Sequence, residues 1–375
     1  MKKKLAVAII FIVILVLPMV SWPIVSLFDL PTVEENREKA KFPEFGNDVF
    51  SQFDEYFADR APYRDLLIKL YKSVERALKL LYENTLPHED DVDYYTEVNN
   101  AIFGKEDWLF YKGDNSIDFY KGTNLPTEAE LKDYVERAEK VNNYFKAQGK
   151  QFVILIAPNK EQMYSEYMPE GIKVVSETKR ADVIYDYFTK HSDVTVVYPK
   201  AELLAVKKNY VTYYKQDTHW NNYGGYVGAK AILDALNISV GDVEITETQY
   251  RGGDLATMAT MDGALYTAYN VLYRSEISLK YTVSTTYESV IESSNTNGKH
   301  LLLLGDSFRE AMKEVLAKEY ESSIVNHRDT FNVDNDFSEA FDAASTVIFQ
   351  AVERYESSIF AAGGLLNRFI DIYGL

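Results

Sequence analysis

After Met1 and three lysines, Lys2 to Lys4, the chain runs from Leu5 to Phe28 without a charged residue. A helix over those 24 positions would extend about 36 Å, enough for the roughly 30 Å hydrocarbon core of a bilayer. The lysines mark the cytoplasmic end, so everything after Asp29 is expected outside the cell membrane. A cleaved signal peptide would share the basic start, but Ser21-Trp22-Pro23-Ile24-Val25-Ser26 offers no small-x-small cleavage site. The pattern therefore predicts an uncleaved, single-pass transmembrane anchor over 1–28.

Two further stretches follow. Residues 29–100 read as a membrane-proximal helical segment. A charged connector at Glu34 to Lys39 leads to apolar residues at helical spacing between Val49 and Tyr82, in two helices broken at Pro62. Residues 101–375 have a different texture. Ile102 to Tyr111 reads as two short strands around a turn. Thr127 and Glu130 form a capping box for a helix whose inner stripe is Leu131, Tyr134, Val135, Ala138, Val141 and Phe145. Wholly apolar strands are expected at Phe152–Ala157, Val194–Tyr198, Leu301–Leu304 and Thr346–Gln350. Helices are expected at 177–190, 225–236 and 308–320. Short buried strands alternating with helices predict an α/β fold whose mostly parallel sheet is covered on both faces. In such a sheet the site lies beyond the carboxyl ends of the strands.

Composition narrows the chemistry. The chain has 375 residues, with 57 Asp plus Glu against 40 Lys plus Arg, a net charge of −17. The first 28 residues contribute three lysines and no acid, so the exported part carries −20. That balance argues against a nucleic-acid partner, which needs a basic surface. With no cysteine, disulfides, thiolate nucleophiles and Cys-ligated metals are excluded. Neither a Rossmann nor a Walker glycine pattern is present, and no cofactor is expected.

The most informative stretch is Leu301-Leu302-Leu303-Leu304-Gly305-Asp306-Ser307-Phe308. A buried strand feeding Gly-Asp-Ser and then a helix lifts the Ser307 hydroxyl to the sheet edge. It also aims first-turn N–H groups at an oxyanion formed there. A helix cap by Asp306 or Ser307 is the simpler reading of those residues alone. Upstream, Gln216-Asp217-Thr218-His219-Trp220-Asn221 sets a carboxylate and an imidazole two residues apart. Asp217 can then orient His219 through Nδ1 and leave Nε2 as a base, which a serine hydroxyl needs to act as a nucleophile. Asp217, His219, His327 and Asp329 have no metalloenzyme spacing, and no metal is expected. Trp108, Trp220 and Tyr223 read equally as sugar-stacking or core aromatics. Glu353-Arg354, after the last strand, reads as substrate-binding or as a rim ion pair.

Gly-Asp-Ser-Phe with an upstream Asp-Thr-His-Trp resembles the SGNH-hydrolase-like acyltransferases that include the alginate O-acetylation proteins. It also resembles the related family named for a DHHW motif. Gly104 to Phe110, Pro158-Asn159-Lys160, Trp220-Asn221-x-Tyr223-Gly224-Gly225, Glu35-Asn36-Arg37 and Phe42-Pro43 extend the similarity along the exported chain. The resemblance implies a three-layer α/β/α SGNH-like domain, with Ser307 as nucleophile, His219 as base and Asp217 as its orienting acid. Two departures stand out. Thr218 replaces the second histidine of the DHHW name, and the usual Gly-x-Asn block is missing. Asn159 is the candidate replacement in the oxyanion hole, with Lys160 as a nearby charge; Trp220, Tyr223 and Arg354 complete the candidate substrate contacts.

The implied activity is extracytoplasmic O-acyl transfer, most plausibly of acetyl groups, to a cell-surface polysaccharide or wall glycan. A multipass membrane acyltransferase is the implied donor partner. The alternatives are a carbohydrate esterase using the same residues and a non-catalytic, membrane-tethered glycan-binding protein.

Overall fold

Strand and helix order follow from where wholly apolar runs give way to one-sided ones. The computed structural model describes residues 40–43, 48–61, 63–85, 93–241, 243–273, 276–335 and 337–375. The anchor expected over 1–28 lies outside the described residues, and among them no helix is long and apolar enough to cross a membrane. Two helices come first, α1 (Val49–Asp59) and α2 (Arg64–Thr85). A small antiparallel sheet follows, formed by β1 (Glu97–Val98), β2 (Ala101–Phe103) and β3 (Leu109–Tyr111). The last two are the short strands that the sequence predicts.

Helix α3 (Glu128–Ala147) starts at the expected capping box: Thr127 Oγ1 accepts from the Glu130 N–H at 3.2 Å, and Glu130 Oε2 accepts from the Thr127 N–H at 2.8 Å. Next come β4 (Gln151–Ala157), α4 (Arg180–His191), β5 (Thr195–Val197) and α5 (Asn222–Ala235). An antiparallel ribbon of β6 (Val243–Arg251) and β7 (Leu265–Tyr273) follows, then β8 (Leu279–Thr282), β9 (Ser289–Ser293) and β10 (His300–Gly305). The chain ends with α6 (Lys313–Ala317), β11 (Ser322–His327), β12 (Thr346–Val352) and α7 (Leu365–Tyr373).

Among the described residues the main sheet has seven strands in the order β5-β4-β12-β10-β11-β9-β8. The first five are parallel, and β9 and β8 add an antiparallel edge. Alternation along each strand divides the core in two. Phe152, Ile154, Ile156, Leu302 and Leu304 pack with α3, α4 and α7. Val153, Leu155, Leu301 and Leu303 pack with α5 and α6 on the opposite face. This is the three-layer α/β/α arrangement, and both faces being covered explains why these strands lack any polar alternation.

One expected helix takes a different form. Over 308–320 the chain makes a 3₁₀ turn (Ser307–Ala311) before the short α6. The Phe308 carbonyl, which an α-helix would offer to Met312, instead accepts the Trp220 indole N–H at 2.9 Å, and the Met312 N–H turns to Arg309. Strands β6 to β9 have no counterpart in the apolar pattern, because the ribbon exposes much of its length and draws on Thr, Glu and Gln.

Leu303 is fully buried mid-sheet, so Leu303→Ala should cost about 2–5 kcal/mol, read as a lower denaturant midpoint.

Candidate active site

Strand β10 delivers Gly305-Asp306-Ser307 to the carboxyl edge of the sheet. Asp306 is buried and latches the turn in place. Its Oδ1 accepts from the Phe308 N–H at 3.0 Å and from Gln350 Nε2 at 2.8 Å, while Oδ2 accepts from the Val352 N–H at 2.6 Å. Gly305 is required for that latch, since a Cβ there would come within 2.2 Å of Gln350 Oε1. Asp306 therefore caps the turn, and Ser307 is left exposed at its start.

The loop from Thr212 to Asn221 folds back on itself. Tyr213 bridges Trp220, Tyr214 N–H bonds His219 O at 3.1 Å, and Asn221 N–H bonds Thr212 O at 2.9 Å. Lys160 sits beneath it, with its ammonium donating to the carbonyls of Tyr214 (3.2 Å), Lys215 (3.2 Å) and Asp217 (2.7 Å). The loop brings His219 over Ser307. His219 Nε2 lies 2.6 Å from Ser307 Oγ, and Nδ1 lies 2.7 Å from Asp217 Oδ1. Asp217 Oδ1 also accepts the His219 main-chain N–H at 2.9 Å, which fixes the turn between them. An open cleft of about 300 Å³ covers the three residues, with Tyr214, Asn222, Glu310 and Ala311 on its walls.

A fourth group, Asp254, was not legible in the sequence. It follows Gly253, whose φ of 142° lies in the region that favours glycine and whose Cβ would meet Gln216 O at 2.5 Å. Asp254 N–H donates to Asp217 Oδ2 at 3.1 Å. Its own carboxylate accepts the Thr218 N–H at 2.7 Å and the Thr218 hydroxyl at 2.5 Å, and stands 3.6 Å from His219 Nδ1. Thr218, where the DHHW name has histidine, thus uses its hydroxyl to hold this second carboxylate.

The electrostatics follow from that pair of acids. Burial works against a charged His219, but the hydrogen bond and charge of Asp217, helped by Asp254, outweigh it and raise the imidazole above its ordinary value. Burial pushes Asp217 upward, yet its bonds to His219 prevail and hold it below the usual carboxylate range. Asp254 is raised, by burial first and then by the charge of Asp217. Donor atoms of Asp217, His219 and Asp254 lie within 4.8 Å of one another, but each is already engaged in this network. His327 and Asp329 pair with each other at 3.4 Å, away from that group.

The remaining candidates fare differently. Lys160 is fully buried, and burial lowers its ammonium to about 8; it supports the loop from below rather than facing substrate. Trp220 and Tyr223 are also buried, so neither ring face is free to stack on a sugar. The Trp220 indole is committed to the Phe308 carbonyl, and Tyr223 packs in the core beside Tyr210 and Tyr226. Asn159 is wholly buried: its Oδ1 accepts from Arg354 N–H and Nη1, both at 3.3 Å, and its Nδ2 makes no hydrogen bond within the protein. The Arg354 guanidinium lies over the Phe308 ring, 5.6 Å from its centroid, next to the serine turn.

The description "SGNH hydrolase-like domain, acetyltransferase AlgX" matches residues 101–344. The chain belongs to this family. No curated protein matches it. Among solved structures, a DHHW family protein from Eubacterium siraeum is similar at 15% identity and a TM-score of 0.51, over 72% of this chain and 95% of that one. Bacillus cereus PatB1 is similar at 17% identity and a TM-score of 0.49, over 70% of this chain and 97% of that one. The O-acetyltransferase domain of Pseudomonas putida AlgJ is similar at 16% identity and a TM-score of 0.46, over 68% and 91%. At such identities the DHHW structure speaks for the fold alone.

Three outcomes are expected from this family member's site. Lys160→Met should leave the three loop carbonyls without their donor and cost about 1–3 kcal/mol, seen as a lower melting temperature together with reduced ester turnover. On the reading of His219 as base, only its neutral form is active, so turnover should fall on the acid side with a midpoint above the ordinary 6.5. Asp254→Asn removes a carboxylate that favours the imidazolium, so it should move that midpoint to lower pH.

Proposed function

We propose that this chain is an O-acyltransferase, acting with acetyl groups outside the membrane on a cell-surface polysaccharide or wall glycan. The observation that carries this reading is the 2.6 Å contact between Ser307 Oγ and His219 Nε2 at the floor of an open cleft, with Asp217 behind the imidazole at 2.7 Å. Membership of an acetyltransferase family supports the group transferred. The neighbour from Pseudomonas putida is itself described as an O-acetyltransferase domain.

His219 Nε2 takes the Ser307 proton as Oγ attacks the carbonyl carbon of a donor ester. The tetrahedral intermediate collapses, the donor C–O bond breaks, and the imidazolium returns its proton to the leaving oxygen. Ser307 then carries the acyl ester. A sugar hydroxyl entering the cleft loses its proton to the same nitrogen, forms the new ester bond, and releases Ser307, which regains its hydrogen from the imidazolium. The Ser307 N–H, at the start of the 3₁₀ turn, is one source of oxyanion stabilisation. The unpartnered Nδ2 of Asn159, held against Arg354, supports those two residues as further candidates. Residues 5–28 tether the chain at the cell membrane as a single-pass anchor, beside a multipass membrane acyltransferase that supplies the acyl group.

The full chain in detergent, given an acetyl ester and an oligosaccharide, should form acetylated sugar in preference to free acetate. Ser307→Ala should lower that transfer by roughly 10³-fold or more. Hydrolysis indifferent to the sugar would instead make the protein a carbohydrate esterase. Glycan binding with no turnover, unchanged in Ser307→Ala, would make it a non-catalytic binding protein.

A further inference from the structure

Helix α2 is built inside out. Along its 22 residues the apolar positions recur at helical spacing, as they do on a helix that buries one face. Here that face points away from the domain. Leu67, Leu70, Tyr71, Val74, Leu78 and Leu81 are each half or more exposed. The polar side is the one that meets the fold. Lys79 Nζ donates to Glu97 O at 3.0 Å, the Arg76 guanidinium lies 5.8 Å from the Phe103 ring centroid, and Lys69 pairs with Asp262 at 3.9 Å. A soluble domain rarely leaves so long an apolar stripe uncovered. On α1, Phe50 and Phe57 are exposed in the same way.

What could cover the stripe is limited by where the chain comes from. The uncharged run ends at Phe28, and α1 begins at Val49. Even fully extended, that connection reaches only about 70 Å. An anchored run therefore keeps α2 within reach of the bilayer surface. Basic residues outnumber acidic ones five to three on α2, whereas the chain as a whole carries −17. This segment is therefore less repelled by anionic headgroups than the chain as a whole. An apolar face of this length with its polar side turned to the protein suits a helix lying in the interface, buried about 5–10 Å at the headgroup boundary.

We propose that the apolar face of α2 lies in the outer leaflet interface of the bilayer, with phospholipid as its partner. The proposal rests on the reading of residues 5–28 as an anchor. Such docking gives the domain a second membrane contact and removes the freedom of the connector, so the cleft keeps a fixed height and tilt over the membrane. A donor ester presented by a membrane partner would then reach Ser307 without the domain having to search for it.

The chain has no cysteine, so single cysteines can carry an environment-sensitive nitrobenzoxadiazole probe. The full chain would be reconstituted into phosphatidylcholine vesicles containing phosphatidylglycerol, with the probe at Leu70→Cys, Leu78→Cys, Ile14→Cys or Lys132→Cys. On vesicle binding the emission at 70 and 78 should shift to the blue, and lipids spin-labelled near the headgroup should quench most of it while leaving 132, on the exposed side of α3, unquenched. Deeply placed spin labels should quench 14. Quenching at 14 but not at 70 or 78 would overturn the docking while leaving the anchor in place. Absence of quenching at all three would overturn both. Disulfide formation between two copies through Leu70→Cys, with no lipid quenching there, would assign the stripe to a second copy and overturn the proposal.

Discussion

The hydrogen bond from the Trp220 indole to the Phe308 carbonyl joins two loops that arise far apart in the sequence. On one side is the folded-back segment that carries Asp217 and His219; on the other is the turn that carries Ser307. Because the bond takes the carbonyl just after the serine, it sets the pitch of that turn and the height of the imidazole at once. The Phe308 ring completes the clamp, 5.1 Å from the His219 ring centroid. A buried bond of this kind is modest in net energy, about 1 kcal/mol, but leaving either partner unsatisfied costs more. Its chief effect is positional.

Around that clamp the sheet supplies rigidity and the buried polar groups supply register. Asp306 ties the end of β10 to β12, and Lys160 fills the underside of the histidine loop with three charge-assisted bonds. Glu353, fully buried at the end of β12, accepts the Asn159 main-chain N–H at 3.0 Å, and burial raises its carboxyl to about 7. These groups are far from exchangeable surface charges. Each holds a loop whose backbone would otherwise have unpaired carbonyls or N–H groups inside the protein.

What the sequence disclosed was what is local. A strand running into Gly-Asp-Ser, and an acid two residues before a histidine, are contiguous signals, and their three side chains meet at the sheet edge. The wholly apolar strands and the Thr127 capping box were legible for the same reason. Asp254 was not: it lies 37 residues from Asp217 in the chain, in the segment connecting the two strands of a polar ribbon that has no apolar period. Lys160 misled in the opposite direction, since a lysine after Pro-Asn looks like an exposed binding group, and Trp220 left the choice between binding and core open. Only the tertiary structure shows their polar atoms turned inward onto main-chain carbonyls. The 3₁₀ form of the serine turn was equally hidden, since it depends on a donor from 88 residues upstream.

The placement of Asp254 constrains how this architecture can vary. Strands β6 and β7 are the two arms of a hairpin whose connecting segment, residues 252–264, dips into the histidine loop, with Gln216 receiving the Ala264 N–H at 2.7 Å and Ala256 N–H reaching Gln216 O. A slip of one arm by a single residue would shift its end by about 3.4 Å and reverse which side chains face the body of the protein. The Thr218 and Asp217 contacts tolerate no such displacement. Insertions are therefore sustainable only in pairs that preserve pairing, or at the far end of the hairpin beyond Val243 and Tyr273, where length can drift without disturbing the contacts around His219.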